Sequence, residues 1–198
     1  MLKTLLENKK RVLATLLFTL LLLGIPLLQS IFFSSRSGGK IIINKEVSAP
    51  FLNSATKPYV LMMFGYVGCV DVCTPLLENL DAIYESPSFK VIHDDVDIFF
   101  INLTPEINTE QPNLFANAFN VNFKGVYLSR REILTIEREF LLFHSRSLSD
   151  VTQLNHSDYI YLLEQKVDNS FVLKNIYSTH PLNIKELKND IITLTELH

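Results

Sequence analysis

Cys69 and Cys73 are the only thiols in the sequence, and three residues separate them. The apolar run 59–64 precedes the pair and the amphipathic stretch 76–84 follows it. This pattern predicts a strand, a loop, and a helix that begins at the cysteines. Unpaired N–H groups and the helix dipole at a helix N-terminus lower the pKa of a thiol. Because a thiolate is both a nucleophile and a metal ligand, the pair indicates redox chemistry, metal binding or both.

The spacing of the two cysteines favours a metal site without forbidding redox cycling. It departs from the Cys-x-x-Cys of dithiol oxidoreductases. Helical residues four apart share one face, with Cβ atoms about 5–6 Å apart, so both sulfurs could reach one ion or close a strained bridge. A purely structural disulfide is disfavoured, because it would close a loop of only three residues and stabilise little. Zinc requires four ligands, whereas Cu(I) accepts two or three sulfur and nitrogen donors.

The elements that must position the cysteines alternate along the chain. Strands are predicted at 41–43, 59–64, 96–103, 159–163 and 171–177, and helices at 72–84, 111–119, 132–143 and 183–197. The last two strands form an antiparallel hairpin. This order predicts an α/β fold of thioredoxin-like topology: a mixed β-sheet flanked by helices, with the cysteines after the first central strand.

Five histidines could supply a third ligand: His93, His144, His156, His180 and His198. His156 stands just before the strand at 159–163, and in the predicted sheet the loop entering that strand lies beside the cysteine loop. Position alone leaves two readings open, a metal ligand or a loop residue that caps its neighbours. His144 is predicted at the C-terminal end of a helix, where its charge would suit the helix dipole. Structural roles are favoured for His144 and the other three.

The N-terminal residues predict a membrane anchor. Residues 12–33 contain no charged side chain, and 22 helical residues at about 1.5 Å each span about 33 Å, enough for a bilayer core. The basic flank 1–11 would keep the N-terminus in the cytoplasm, so the rest would lie in the periplasm or outside. The predicted organisation is a single-pass inner-membrane signal anchor, a linker and N-terminal extension at 34–56, and a domain at 57–198. A cleaved signal peptide is the alternative.

The charge balance of the remaining chain argues against nucleic-acid binding. The sequence holds 18 basic and 21 acidic residues. Without residues 1–33, which carry four basic residues and one acidic residue, it holds 14 and 20, a net charge of −6. No basic stripe interleaved with aromatic residues is present, so the protein is not expected to bind nucleic acid.

The cysteine loop and the segment around His156 together resemble the SCO/SenC family. Its members are membrane-anchored, thioredoxin-like copper proteins that help to assemble cytochrome c oxidase. The resemblance covers about residues 57–197. The matching residues are Cys69, Asp71, Val72, Cys73, His156 and Ser157.

The resemblance implies a copper site formed by Cys69, Cys73 and His156, binding Cu(I), Cu(II) or both. It also implies a function as a metallochaperone that delivers copper to the copper-binding subunit of a terminal oxidase, or prepares that subunit's copper site. Asp71 would face the partner or tune the thiols; the alternative is a helix N-cap or first-turn acid with no further role. The family's flanking prolines are here Val70 and Thr74, and the acid before the histidine is Asn155.

Two enzymatic functions are alternatives to a copper-binding function. A thiol–disulfide oxidoreductase would cycle a Cys69–Cys73 disulfide, reduce the client's copper-binding cysteines and need a thiol–disulfide reductant of its own. This activity would not need the histidine. Copper binding would need it, and would also need both thiols reduced. A peroxidase is disfavoured, because the sequence lacks the Pro-x-x-x-Thr-x-x-Cys arrangement of the peroxiredoxins.

Overall fold

A computed structural model of the protein describes residues 11–22, 24, 39–146, 154–178 and 182–196. The chain divides into two compact units, Met1–Ser37 and Gly38–His198. In the first unit, residues 11–22 are helical. Among the residues described, no helix reaches the length and apolarity needed to cross a bilayer. Residues 12–22 and 24 of the predicted anchor at 12–33 are described, and residues 23 and 25–33 lie outside the described ranges.

The second unit is built on a six-stranded mixed sheet in the order β1-β8-β7-β2-β3-β4. The strands of this sheet are β1 (Lys40–Val47), β2 (Tyr59–Gly65), β3 (Val96–Asn102), β4 (Phe123–Tyr127), β7 (Tyr159–Gln165) and β8 (Phe171–Ser178). A separate two-stranded sheet pairs β5 (His144–Arg146) with β6 (Leu154–His156). The helices are α1 (Cys73–Tyr84), α2 (Gln111–Asn117), α3 (Arg130–Glu139) and α4 (Ile184–Glu196), with short 3₁₀ turns at Pro50–Ser54 and His93–Asp95.

The buried central strand β2 explains why the sheet has helices on both faces. All seven of its residues are buried. Leu61 and Met63 pack with α1 and α4 on one face, while Val60, Met62 and Phe64 pack with α3 on the other. Each large apolar side chain that is buried fully stabilises the fold by about 1.5–3 kcal/mol, so both faces must be covered. The predicted α/β fold with a mixed sheet and flanking helices is confirmed.

The strand directions bring the cysteine loop and His156 to one end of the sheet. β2 runs parallel to β3 and antiparallel to β7, with Met63 opposite Ile160. The end of β2, which leads into the cysteines, therefore lies beside the start of β7, which follows His156. The prediction that these two loops are neighbours is confirmed.

The region around His144 differs from the prediction of a helix over 132–143. Helix α3 ends at Glu139, because Leu141 adopts a left-handed conformation with φ of 54°. The N–H of Leu142 then donates to the carbonyl of Glu137 at 3.0 Å, which closes a Schellman-type C-terminus without the usual glycine. His144 consequently lies on a strand, β5, and its predicted position at a helix end is wrong.

Candidate metal centre

Helix α1 begins at Cys73, and Cys69 lies in the turn before it. The prediction that both thiols occupy one helical face is therefore wrong, although both are at the helix N-terminus. The backbone N–H of Cys73 donates to the sulfur of Cys69 at 3.3 Å. The N–H and the hydroxyl of Thr74 donate to the carbonyl of Cys69 at 3.2 and 3.0 Å. The N–H groups of the first helical turn, which have no partner within the helix, thus hold the cysteine loop in place.

A buried asparagine holds the other side of the loop. Asn102, at the end of β3, is fully buried, and its side-chain oxygen accepts the N–H of Val67 at 3.1 Å. Its amide nitrogen donates to the carbonyl of Thr104 at 2.7 Å. The N–H of Leu103 donates to the carbonyl of Gly65 at 2.7 Å. No role for Asn102 was predicted from the sequence, where the available signal was a polar residue at the end of an apolar strand.

Gly65 leaves the space that the sulfur of Cys73 fills. A Cβ atom at residue 65 would lie 2.5 Å from Sγ of Cys73 and 2.9 Å from the ring of Phe100. Real Cβ atoms do not approach other atoms so closely, so any side chain there would displace the sulfur or the ring. The glycine at residue 65, just before the cysteine loop, is therefore required by the packing of Cys73 and Phe100.

His156 turns one ring nitrogen toward the cysteines. Its Nε2 lies 3.7 Å from Sγ of Cys73, and its Nδ1 lies 3.1 Å from the carbonyl oxygen of Ser157. A proton on Nδ1 that is donated to this carbonyl leaves Nε2 as the metal donor. Tyr66 packs edge-on against the imidazole with ring centroids 6.1 Å apart. The ring is thus held in orientation from two sides.

The two thiols are free and buried, with exposed fractions of 4% for Cys69 and 0% for Cys73. The hydrogen bond from Cys73 lowers the pKa of Cys69 to about 4, and a further hydrogen bond to His156 acts in the same direction against burial. The same hydrogen bond to Cys69, together with burial, raises the pKa of Cys73. The pair therefore shares one proton, with the negative charge on Cys69. Burial lowers the pKa of His156, but its hydrogen bonds to Cys69 and to the backbone of Ser157 outweigh this effect and raise it.

The ligand atoms of Cys69, Cys73 and His156 all lie within 4.8 Å of one another. In the described part of the chain, these three form the one group of at least three such side chains placed to hold a metal ion. Two thiolates and an imidazole are soft and borderline donors of the kind that copper takes, and three of them satisfy Cu(I). The donor set therefore fits copper.

Asp71 is exposed and lies in the turn two residues before α1. The N-cap of that helix is Val72, and no acidic residue occupies its first turn. The alternative reading of Asp71 as an N-cap or first-turn acid is therefore wrong.

The other histidines divide into three groups. His144 lies opposite His156 on the neighbouring short strand. His93 lies in a 3₁₀ turn before β3, where its Nδ1 contacts the carbonyl oxygen of Lys90 at 2.8 Å. His180 and His198 fall outside the described residues.

The family model described as SCO1/SenC matches residues 53–193. The chain belongs to the SCO1/SenC family. Among curated proteins, the mitochondrial SCO2 homolog of Bos taurus is 28% identical over 109 residues, covering 53% of this chain and 41% of that protein. The chain thus spans less than half the length of this family member.

Solved structures of family members share the fold. The crystal structure of Arabidopsis thaliana ScoI with copper bound has a TM-score of 0.60 at 20% identity, covering 74% of this chain and 89% of that one. BsSco, described as a cytochrome c oxidase assembly protein with a disulfide switch, has a TM-score of 0.58 at 20% identity, covering 80% and 98%. The expected thioredoxin-like architecture is the one that these SCO proteins have.

Proposed function

We propose that this protein is a membrane-anchored metallochaperone that delivers copper to, or prepares the copper site of, a terminal cytochrome c oxidase. The observation that carries the proposal is the convergence of Cys69, Cys73 and His156 within 4.8 Å at one end of the sheet. Membership of the SCO1/SenC family supports it. So do the copper bound to Arabidopsis ScoI and the oxidase-assembly role given for BsSco.

Copper is the cargo, and each of the three side chains contributes a different kind of ligand. Cys69 is poised as a thiolate, because its pKa lies near 4. Cys73 is held as a thiol and must release its proton as the metal binds, since only the thiolate is a strong ligand. His156 adds a neutral nitrogen. Transfer to the client then proceeds by exchange of these ligands, one at a time, for those of the copper-binding subunit.

The proposed setting is the periplasmic or outer face of the inner membrane. Residues 12–33 would form the anchor after the basic flank 1–11, residues 34–56 would link it to the domain, and 57–198 would carry the copper site. The uncharged run at 12–33 supports this organisation. Protease protection of the full chain in inverted and right-side-out vesicles tests it: Cys69 and Cys73 should be cleaved away with the outer domain only in right-side-out vesicles.

The test of function is a copper titration of the reduced full chain beside His156→Ala, with metal content and the sulfur-to-copper charge-transfer absorption followed together. We expect one tightly bound copper per chain, and its loss in the variant. His93→Ala is the matched control, because His93 faces Lys90 and Tyr84 rather than the cysteines; it should bind as the unaltered protein does. Equal binding by the His156→Ala variant would refute the proposed site.

A second candidate is a thiol–disulfide oxidoreductase that reduces the client's copper-binding cysteines. The low pKa of Cys69 favours it, because a thiolate at neutral pH is the attacking species in disulfide exchange. The disulfide switch of BsSco is in keeping with such chemistry. Exchange with a dithiol peptide that survives in His156→Ala, in a protein that binds no copper, would favour this candidate over the metallochaperone.

A further inference from the structure

His144 is directly opposite His156 in the pairing of β5 with β6. Directly opposed residues of an antiparallel pair project from the same face of the ribbon, with Cβ atoms about 4.5–5.5 Å apart. Two hydrogen bonds between the neighbouring residues Phe143 and Ser157 support this pairing. The N–H of Ser157 donates to the carbonyl of Phe143 at 2.8 Å, and the N–H of Phe143 donates to Oγ of Ser157 at 3.1 Å. A second imidazole is thus fixed beside the one that faces the cysteines.

The environment of His144 leaves one nitrogen as a donor. Its Nδ1 lies 2.9 Å from a carboxylate oxygen of Glu137. Nδ1 is also one of two buried side-chain polar atoms without a hydrogen-bond partner among the described residues. The carboxylate therefore lies close to Nδ1 but off the direction of a good hydrogen bond. A carboxylate behind one ring nitrogen is the common arrangement of metal-binding histidines, whose other nitrogen binds the metal.

We propose that His144 is a second histidine ligand, which joins Cys69, Cys73 and His156 when the site holds Cu(II). This inference rests on the proposed function. Cu(I) is satisfied by three soft donors, whereas Cu(II) favours four in a tetragonal arrangement. The nitrogens of His144 lie outside the cluster of three ligand atoms. Binding of His144 therefore requires strand β5 to move toward the cysteine loop as Cu(II) is taken up.

Charge explains why the fourth donor is a neutral imidazole. Two thiolates already neutralise Cu(II), so a fourth ligand without charge leaves the buried site neutral. A carboxylate would leave a net negative charge among buried groups, which is costly. Asp71 and Asp158 are each two residues from a ligand, but Asp71 is exposed and neither carboxylate belongs to the cluster of ligand atoms.

Pulsed electron paramagnetic resonance of the full chain loaded with Cu(II), with isotopically labelled histidine, counts the histidine nitrogens bound to copper. We expect two inequivalent histidines in the unaltered protein and one in His144→Phe, which keeps a planar ring without nitrogens. The affinity for Cu(II) should fall more than about 10-fold in His144→Phe, whereas the affinity for Cu(I) should stay the same. His93→Phe is the matched control and should retain two.

The outcomes separate this inference from the function on which it rests. A single coupled histidine in the unaltered protein, lost in His156→Ala, would overturn the role of His144 and leave the metallochaperone intact. The same holds for equal losses of Cu(I) and Cu(II) affinity in His144→Phe. No copper bound in either oxidation state would overturn the proposed function itself. The count is read on the unaltered protein, so it stands even if a variant fails to fold.

Discussion

Buried polar groups are fully paired at one end of the central sheet and incompletely paired at the other. At the end where β2 begins, Asp97 and Glu164 are both 3% exposed, and both are fully engaged. Asp97 accepts the N–H of Thr56 at 2.7 Å and pairs with Lys124 at 2.8 Å. Glu164 pairs with Lys166 and Lys174 at 2.8 and 3.3 Å. These charges are neutralised within the fold, and they contribute stability.

At the other end, the donor atoms of Cys69, Cys73 and His156 are not saturated by partners within the protein and can still bind a metal ion. The two sulfurs share one proton, and Nε2 of His156 is 3.7 Å from Sγ of Cys73, too far for a strong bond. Burial alone therefore does not mark a functional site. What distinguishes the cysteine end is that its buried donors are oriented but not saturated.

The largest expected effect is the loss of copper from Cys73→Ser. A hydroxyl is not a thiolate ligand at neutral pH, so we expect the affinity for copper to fall more than about 100-fold, beyond the 10–100-fold typical of groups that only support a ligand. Competition with a chelator of known affinity measures this. Asp97→Asn should bind copper as the unaltered protein does. If both variants lost copper equally, the distinction between the two ends would fail.

Gly65→Ala should disturb the site through shape alone. The added methyl meets Sγ of Cys73 and the ring of Phe100, so we expect a loss of about 1–3 kcal/mol in the free energy of unfolding and a weaker, altered copper charge-transfer band. Gly68→Ala is the matched control: its φ is +90°, but no atom lies within 4 Å of the added methyl. That variant should lose about 1–2 kcal/mol from backbone strain and keep the band. An unchanged band in Gly65→Ala would contradict the close fit.

Asp97→Asn should reduce stability at the opposite end without touching the metal centre. It weakens the pair with Lys124 and leaves an amide where a carboxylate accepted two partners, so we expect a loss of about 2 kcal/mol in the free energy of unfolding. Denaturant unfolding measures it. The control is Asp94→Asn, because the side chain of Asp94 is 90% exposed and should contribute little. Equal stability of the two variants would show that the buried cluster is not stabilising.

The smallest expected effect concerns the titration of Cys69. Its pKa in the folded protein is about 4 against an ordinary 9.0. The stability that this thiolate contributes is therefore complete above pH 9.0 and declines as the pH falls toward about 4. Burial, and then the nearby charge and hydrogen bond of Cys69, raise the pKa of Tyr66, so its hydroxyl supports the thiolate. Tyr66→Phe should raise the pKa of Cys69 by less than about one unit, as measured by ultraviolet thiolate absorption. A fall in that pKa would contradict this arrangement.

The sequence predicted the parts of the fold that depend on long, regular patterns. The apolar run of β2 and the amphipathic helix after it indicated the cysteine loop, and the order of elements placed His156 beside it. Three features escaped. Strand β4 at the edge of the central sheet was not predicted, because it is five residues long and only Phe123 of it is buried, which leaves a weak apolar pattern. Strands β5 and β6 are three residues long, too short for a recognisable period. The apolar spacing over 132–143 continues past the end of α3, where Leu141 supplies a left-handed turn that sequence analysis expects of glycine. The position of His144 opposite His156 could therefore not be predicted.

The near-complete burial of both sulfurs has a kinetic consequence. A small chelator in solution cannot reach an ion held between side chains that are 4% and 0% exposed until the loop opens. The rate of metal removal should then rise with chelator concentration only to a ceiling, which is the rate of opening. A docked partner that opens the loop would bypass that ceiling. The same burial that slows leakage into the surroundings would thus make release depend on contact with the right recipient.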